Sequence, residues 1–161
     1  MNKVVVLLGS NLGNSKLLFQ RGLNLLIEKL GKLLSKSALY ESSPWGFEHE
    51  NNFLNQVLIL ETLYSAEDVL QVCLQIENNL GRVRKEQIGY SARLIDIDLL
   101  FVNDEVLETE TLVLPHPRLH LRKFTLLPLV DLMPDFIHPR LQKDMQYLLA
   151  NCKDNSEVRK I

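Results

Sequence analysis

Two cysteines in 161 residues are too few for a disulfide framework. Cys73 also falls on the apolar stripe of an expected helix, so both it and Cys152 read as reduced thiols of a cytoplasmic protein. No apolar run approaches the length that crosses a bilayer. Val4–Leu8 resembles the start of a signal peptide but is too short and lacks a small-residue cleavage site; a buried first strand is expected instead. Charge of one sign is not in excess: 18 Lys and Arg stand against 20 Asp and Glu, a net −2. Neither nucleic acid nor a membrane is therefore an expected partner, and any anion site must come from locally clustered cations. No repeat, low-complexity tract or linker divides the chain. A complete phosphate-loop signature is missing too. Gly9-Ser10-Asn11-Leu12-Gly13 has neither the Gly-x-x-x-x-Gly-Lys-Ser/Thr nor the full Gly-x-Gly-x-x-Gly pattern, and a tight turn with a helix cap explains it.

What is present suits one globular domain over residues 1–161, with 46% apolar and 24% charged residues. A strand is expected at Lys3–Leu8, then a helix capped by Asn14 with Phe19, Leu23, Leu26 and Leu30 on its apolar face, closed by Gly31. A second strand is expected at about Leu33–Glu41, a loop over Ser42–Asn52, and a third strand at Phe53–Thr62. Ser65-Ala66-Glu67-Asp68 reads as a capping box opening a second helix, whose stripe is Val69, Val72, Cys73, Ile76 and Leu80. After Gly81 no periodicity is clear up to Ser91. Beyond the next strand come a hairpin around Asn103–Leu114, a loop at Pro115–Pro117 and helical turns at Lys123–Asp131 and Asp144–Leu149. The tail Lys153–Ile161 is expected to be loosely ordered. The order β-α-β-β-α-β predicts an α+β fold with a ferredoxin-like βαββαβ core and a mostly antiparallel sheet, in an α/β/α sandwich.

The run Arg93-Leu94-Ile95-Asp96-Ile97-Asp98-Leu99-Leu100-Phe101 carries the most chemical information. Read as a strand, it turns Ile95, Ile97, Leu99 and Phe101 one way and both carboxylates the other. Two neighbouring anions repel unless a cation sits between them, and Mg²⁺ typically takes one or two carboxylates and completes its shell with water and phosphate oxygens. A solvated strand face is the simpler reading of Asp-x-Asp alone; the surrounding residues favour chemistry.

Arg82 and Arg84 offer planar forks suited to phosphate, although satisfying the helix C-terminus is an equal explanation for Arg82. Arg93 lies three residues before Asp96, so cation and carboxylate neighbourhoods adjoin. Downstream, Pro115-His116-Pro117-Arg118-Leu119-His120-Leu121-Arg122 gathers further donors. His116 and His120 would fit a metal site only on a continuous helix, which Pro117 opposes. Zinc completed by a nearby Asp or Glu is the alternative; His116 and Arg122 as phosphate or acceptor-site donors suit the segment better. Glu77 lies roughly forty degrees round the helix from Cys73, given about 100° per residue. There it is either a solvated flank or a group that orients an arginine or the substrate loop. Phe53 and Asn55 share a strand face, where a ring and a carboxamide suit a flat hydrogen-bonding heterocycle.

Taken in order, several of these segments form one set. They are Gly9-Ser10-Asn11-Leu12-Gly13, Pro44-Trp45-Gly46-Phe47, Phe53-Leu54-Asn55, Glu77 with Gly81-Arg82-Val83-Arg84, Arg93-Leu94-Ile95-Asp96-Ile97-Asp98, and Pro115-His116 with Arg122-Lys123-Phe124. The set resembles the 6-hydroxymethyl-7,8-dihydropterin pyrophosphokinases of folate biosynthesis. The resemblance implies transfer of the β,γ-pyrophosphoryl group of ATP to a pterin hydroxymethyl oxygen, with release of AMP. It implies two Mg²⁺ ions shared by Asp96 and Asp98, and phosphate or nucleotide contacts from Arg82, Arg84, Arg93, His116 and Arg122, with Arg82 and Arg84 on a closing loop. The pterin would lie between Phe53 and Phe124, its edge read by Asn55 and by Ser42, Ser43, Pro44 and Trp45, next to Asp96. Small-molecule substrates and a monomeric, cytoplasmic enzyme follow. A non-catalytic binding domain, or another Mg²⁺-dependent transferase with a different acceptor, are the competing expectations.

Overall fold

The computed structural model describes residues 1–11, 14–42, 52–85 and 90–161, with the backbone alone at 82–85 and 90–93. The chain opens with β1 (Asn2–Ser10), α1 (Ser15–Leu30), β2 (Gly31–Lys36), β3 (Tyr40–Ser42) and β4 (Phe53–Thr62). Next come α2 (Ala66–Asn79), β5 (Arg82–Lys85), β6 (Tyr90–Arg93) and β7 (Asp96–Val102). The last third holds the short β8 (Leu107–Glu108) and β9 (Val113–Leu114), a 3₁₀ turn at Leu119–Leu121, α3 (Lys123–Leu132), α4 (Met145–Ala150) and β10 (Val158–Lys160).

The main sheet runs β10-β3-β4-β1-β7, with β2 also paired to β4, and its pairings are antiparallel. This is an α+β fold with helices on both sheet faces. The unbroken apolar run of β1 follows from that: Val4, Val6 and Leu8 enter the core under α1 and α2, while Val5 and Leu7 enter the core under α3 and α4. Local signals set the helix starts as expected. The Asn14 side chain accepts from the Leu17 N–H at 3.2 Å, and Ser65 Oγ accepts from the Asp68 N–H at 3.3 Å. Gly31 ends α1 at φ 143°, a backbone angle that a side chain would strain.

Five expectations need correction. The second strand is divided into β2 and β3, because Ser37 Oγ accepts the Val57 N–H at 3.0 Å and Gln56 Nε2 donates to the Ser37 carbonyl at 2.7 Å. Side chains there replace part of a regular ladder. Gly9 and Ser10 are the end of β1 and not a turn, since β1 stays paired to β4 through Ser10. Residues 82–93 include a two-stranded ribbon, with Arg82 paired to Arg93 and Arg84 to Ser91.

In β7, Val6 pairs with Leu99 but Val5 pairs with Phe101, which leaves Leu100 as an extra residue. That bulge moves Phe101 off the face of Ile97 and Leu99 and into the core under α3 and α4. The tail is likewise fixed. β10 adds to the edge of β3 with Val158 opposite Ser42, and Arg159 sits 2.6 Å from Glu41. Lys160 lies 3.3 Å from Asp131, which also accepts the Tyr40 hydroxyl.

Candidate active site

Sheet register assembles the site. Gly9 in β1 pairs with Asn55 of β4 on one side and Asp96 of β7 on the other. One step along, Leu7 lies between Val57 and Asp98. Asn55 and Asp96 are thus two strand spacings apart, roughly 10 Å, with a residue lacking a side chain between them. Phe53, opposite Ser42, extends the same face. Above this floor is a cleft of about 650 Å³ whose lining includes Gly9, Phe53, Asn55, Asp96, Asp98 and Phe124. Ser42 and Arg122 line it too, so the register and the start of α3 bring together seven of the fourteen residues expected at the site.

Asp96 is exposed and Asp98 half-buried. The strand beneath them is held from its far side by Glu77, which is 3% exposed and accepts the Ile97 N–H at 2.8 Å. The solvated-flank reading of Glu77 is therefore corrected: α2 packs its flank directly on β7, and the carboxylate ends on a backbone donor between the two aspartates. Ser10 Oγ donates to the Leu94 carbonyl at 2.6 Å, fixing the chain just before Asp96. Burial, reinforced by the nearby Glu77 and Asp98 carboxylates, pushes the Cys73 thiol up to about 12, so it stays neutral behind the strand.

On the opposite wall, the Arg122 guanidinium lies 5.6 Å from the centre of the Phe124 ring, within cation–π range. His116 is not among the residues lining the cleft. Its backbone N–H donates to the bulged Leu100 carbonyl at 3.0 Å, and its Nδ1 accepts the Arg118 N–H at 3.1 Å. Burial pulls its pKa down to about 4, and the Arg122 and Arg118 charges add to the effect. At neutral pH it is an uncharged ring with its proton on Nε2. With Nδ1 engaged, and with no group of three or more potential ligands among the described residues, a His116–His120 zinc site has no support. The two β7 carboxylates instead suit a cation whose remaining ligands are phosphate oxygens.

The side chains of Arg82, Arg84 and Arg93, and all of Ser43, Pro44 and Trp45, lie outside the described residues. The backbone of the ribbon nevertheless runs from the end of α2 back towards Asp96. Arg118, one of the donors in the run before α3, lines the cleft, and so do residues the sequence did not single out: Leu121, Lys153, Asp154 and Ser156. The last three belong to the tail, where no local periodicity could announce them.

The family model for 7,8-dihydro-6-hydroxymethylpterin-pyrophosphokinase matches residues 5–134. A 2-amino-4-hydroxy-6-hydroxymethyldihydropteridine pyrophosphokinase of Porphyromonas gingivalis is 42% identical over 139 residues, covering 84% of this chain and 93% of that protein. One from Aquifex aeolicus is 38% identical, covering 91% and 89% respectively. The chain is also 36% identical to the folic acid synthesis protein FOL1 of Dictyostelium discoideum, but spans only 24% of its length. Among solved structures, a Plasmodium falciparum HPPK-DHPS chain superposes with a TM-score of 0.74 at 18% identity, over 92% of this chain and 44% of that one. At that identity the likeness speaks for the fold alone. The sequence matches carry more: this chain belongs to the 7,8-dihydro-6-hydroxymethylpterin-pyrophosphokinase family.

Proposed function

We propose that the chain transfers the β,γ-diphosphate of ATP to the hydroxymethyl oxygen of 6-hydroxymethyl-7,8-dihydropterin in folate biosynthesis. The hydroxyl oxygen bonds to the β-phosphorus, the bond from that phosphorus to the α,β-bridging oxygen breaks, AMP departs and the hydroxyl proton passes to solvent. One observation carries this reading. Asn55, Gly9 and Asp96 stand in one cross-strand row, and Asp98, Phe53 and Phe124 line the same cleft.

Asp96 and Asp98 are the pair that would hold two Mg²⁺ ions, which supply charge neutralisation for the polyphosphate. Asn55 reads the pterin edge, while Phe53 and Phe124 take its faces. Ser42, Ser43, Pro44 and Trp45 read the pterin edge together with Asn55. Arg122 contacts the nucleotide within the cleft, neutral His116 contacts it beyond the cleft lining, and Arg82, Arg84 and Arg93 cover the phosphates. Such a site accelerates transfer by alignment and charge compensation, without a covalent intermediate. Closing it keeps water from the phosphates. The order β7-β1-β4-β2, antiparallel throughout, supports a ferredoxin-like core. A single domain acting as a cytoplasmic monomer, without nucleic acid, completes the reading.

Mixing the protein with ATP, Mg²⁺ and the hydroxymethyldihydropterin should yield AMP in step with pterin consumed. ADP as the nucleotide product would mean single phosphoryl transfer, and absence of turnover would favour a binding domain.

A further inference from the structure

Helix α3 carries Phe124 in its first turn, yet lacks a local cap: Arg122, at the N-cap position, makes no capping side-chain bond. Pro128 inside the helix has no N–H to give the Phe124 carbonyl, so this turn has fewer backbone bonds of its own. The missing cap comes from 31 residues downstream. One Asp154 carboxylate oxygen accepts the Lys123 N–H at 3.0 Å, and the other accepts the Ser156 N–H at 2.9 Å. Desolvation favours the protonated acid, but the adjacent Ser156 hydroxyl, these two backbone bonds and the Lys123 charge outweigh it and hold Asp154 below the usual carboxylate range. The residue is therefore an anion at a helix N-terminus, where both an orphan donor and the helix dipole favour it.

The same segment is tied to the other side of the cleft. β10 pairs in register with β3, bringing Val158 opposite Ser42, and the Ile161 N–H donates to the Leu39 carbonyl at 2.9 Å. Asp154, Ser42 and Phe124 all line the cleft. We propose that Asp154 is a positioning residue for the acceptor: as the distal cap of α3 it fixes the turn that presents Phe124, making the C-terminal tail part of the pterin site. This rests on the reading of Phe124 as a pterin-stacking ring.

The test compares wild type, Asp154→Ala and Asp154→Asn, measuring dissociation constants for 6-hydroxymethylpterin and, separately, for MgATP. Asn keeps one oxygen for the Lys123 N–H but sets an amide NH2 against the Ser156 N–H, so its pterin affinity should fall between those of wild type and Asp154→Ala. Asp154→Ala should bind the pterin about fivefold to tenfold more weakly, the range expected of a lost cap, with MgATP affinity within about twofold. Should the alanine variant fail to fold, Asp154→Glu retains the charge, displaces the oxygens by one methylene and should show the same selective loss. A lowered melting temperature with unchanged pterin affinity would assign Asp154 a stabilising role only and overturn the proposal. So would equal weakening of both ligands. Failure of the wild type itself to bind the pterin would instead sink the functional reading on which this one stands.

Discussion

Glu77 reaches from α2 to take the Ile97 N–H at 2.8 Å, on the residue that separates Asp96 from Asp98. A buried acceptor thereby sets the strand whose exposed face holds both carboxylates. Removing it in Glu77→Ala leaves that N–H without a partner, and an unsatisfied buried donor costs about 1–3 kcal/mol. Glu77→Gln retains an oxygen at the same place and should lose less. Urea unfolding of the two variants measures this directly, and an alanine variant as stable as wild type would refute it.

Gly9 separates Asn55 from Asp96, and a Cβ there would lie 3.0 Å from the Asn55 amide nitrogen. Asn55 is buried and donates to the Leu8 carbonyl at 3.4 Å, so it has little room to yield. Gly9→Ala should weaken pterin binding by roughly tenfold or more, about 1–3 kcal/mol of overpacking, while the chain still folds. Titration with the pterin is the check; unchanged affinity would mean the slot over Gly9 is not used.

Phe124→Ala removes one face of the proposed sandwich. Loss of the ring's burial and stacking predicts pterin binding weaker by at least about tenfold, with ATP affinity largely retained. Loss of ATP binding alone would place the ring on the nucleotide instead.

Two histidines predict the acid response. His116 is held down to about 4, by burial and then by Arg122 and Arg118. His138 is also held down to about 4, by burial and then by the His120 and Arg140 charges. Both rings have an ordinary value of 6.5, so the unfolded chain takes up protons first as pH falls. Stability should therefore rise with pH between about 4 and 6.5 and be lost on acidification through that window. Denaturant midpoints at about pH 6.5 and pH 5, where most carboxylates remain ionised, should show the drop. A flat or inverted profile would contradict the burial of these rings.

Much of this architecture was legible because its signals are local. Asn14 and Ser65 cap helices as their chemistry requires, and Phe53–Thr62 forms the expected strand. The Asp-x-Asp pair emerged from a two-residue period that holds as far as Leu99. It fails at Leu100, because a bulge is decided by pairing with Val5 and Val6 and leaves no mark in the strand's own composition. Glu77 misled for a related reason. Helix geometry placed it at the edge of the buried stripe, but its partner is a backbone donor twenty residues away on another element. The tail looked loose because its order comes from bonds to β3 and α3, more than thirty residues upstream.

The most direct test is the metal site itself. Mn²⁺, a spectroscopic substitute for Mg²⁺, can be titrated by electron paramagnetic resonance into the protein with a non-hydrolysable ATP analogue. Comparison with Asp96→Ala and Asp98→Ala then isolates the carboxylates. Wild type should bind two ions per chain in the presence of the analogue, and each variant should lose tight binding together with AMP formation. Unaltered Mn²⁺ binding in both variants would show that the β7 carboxylates are not the ligands, and the account would fail at its centre.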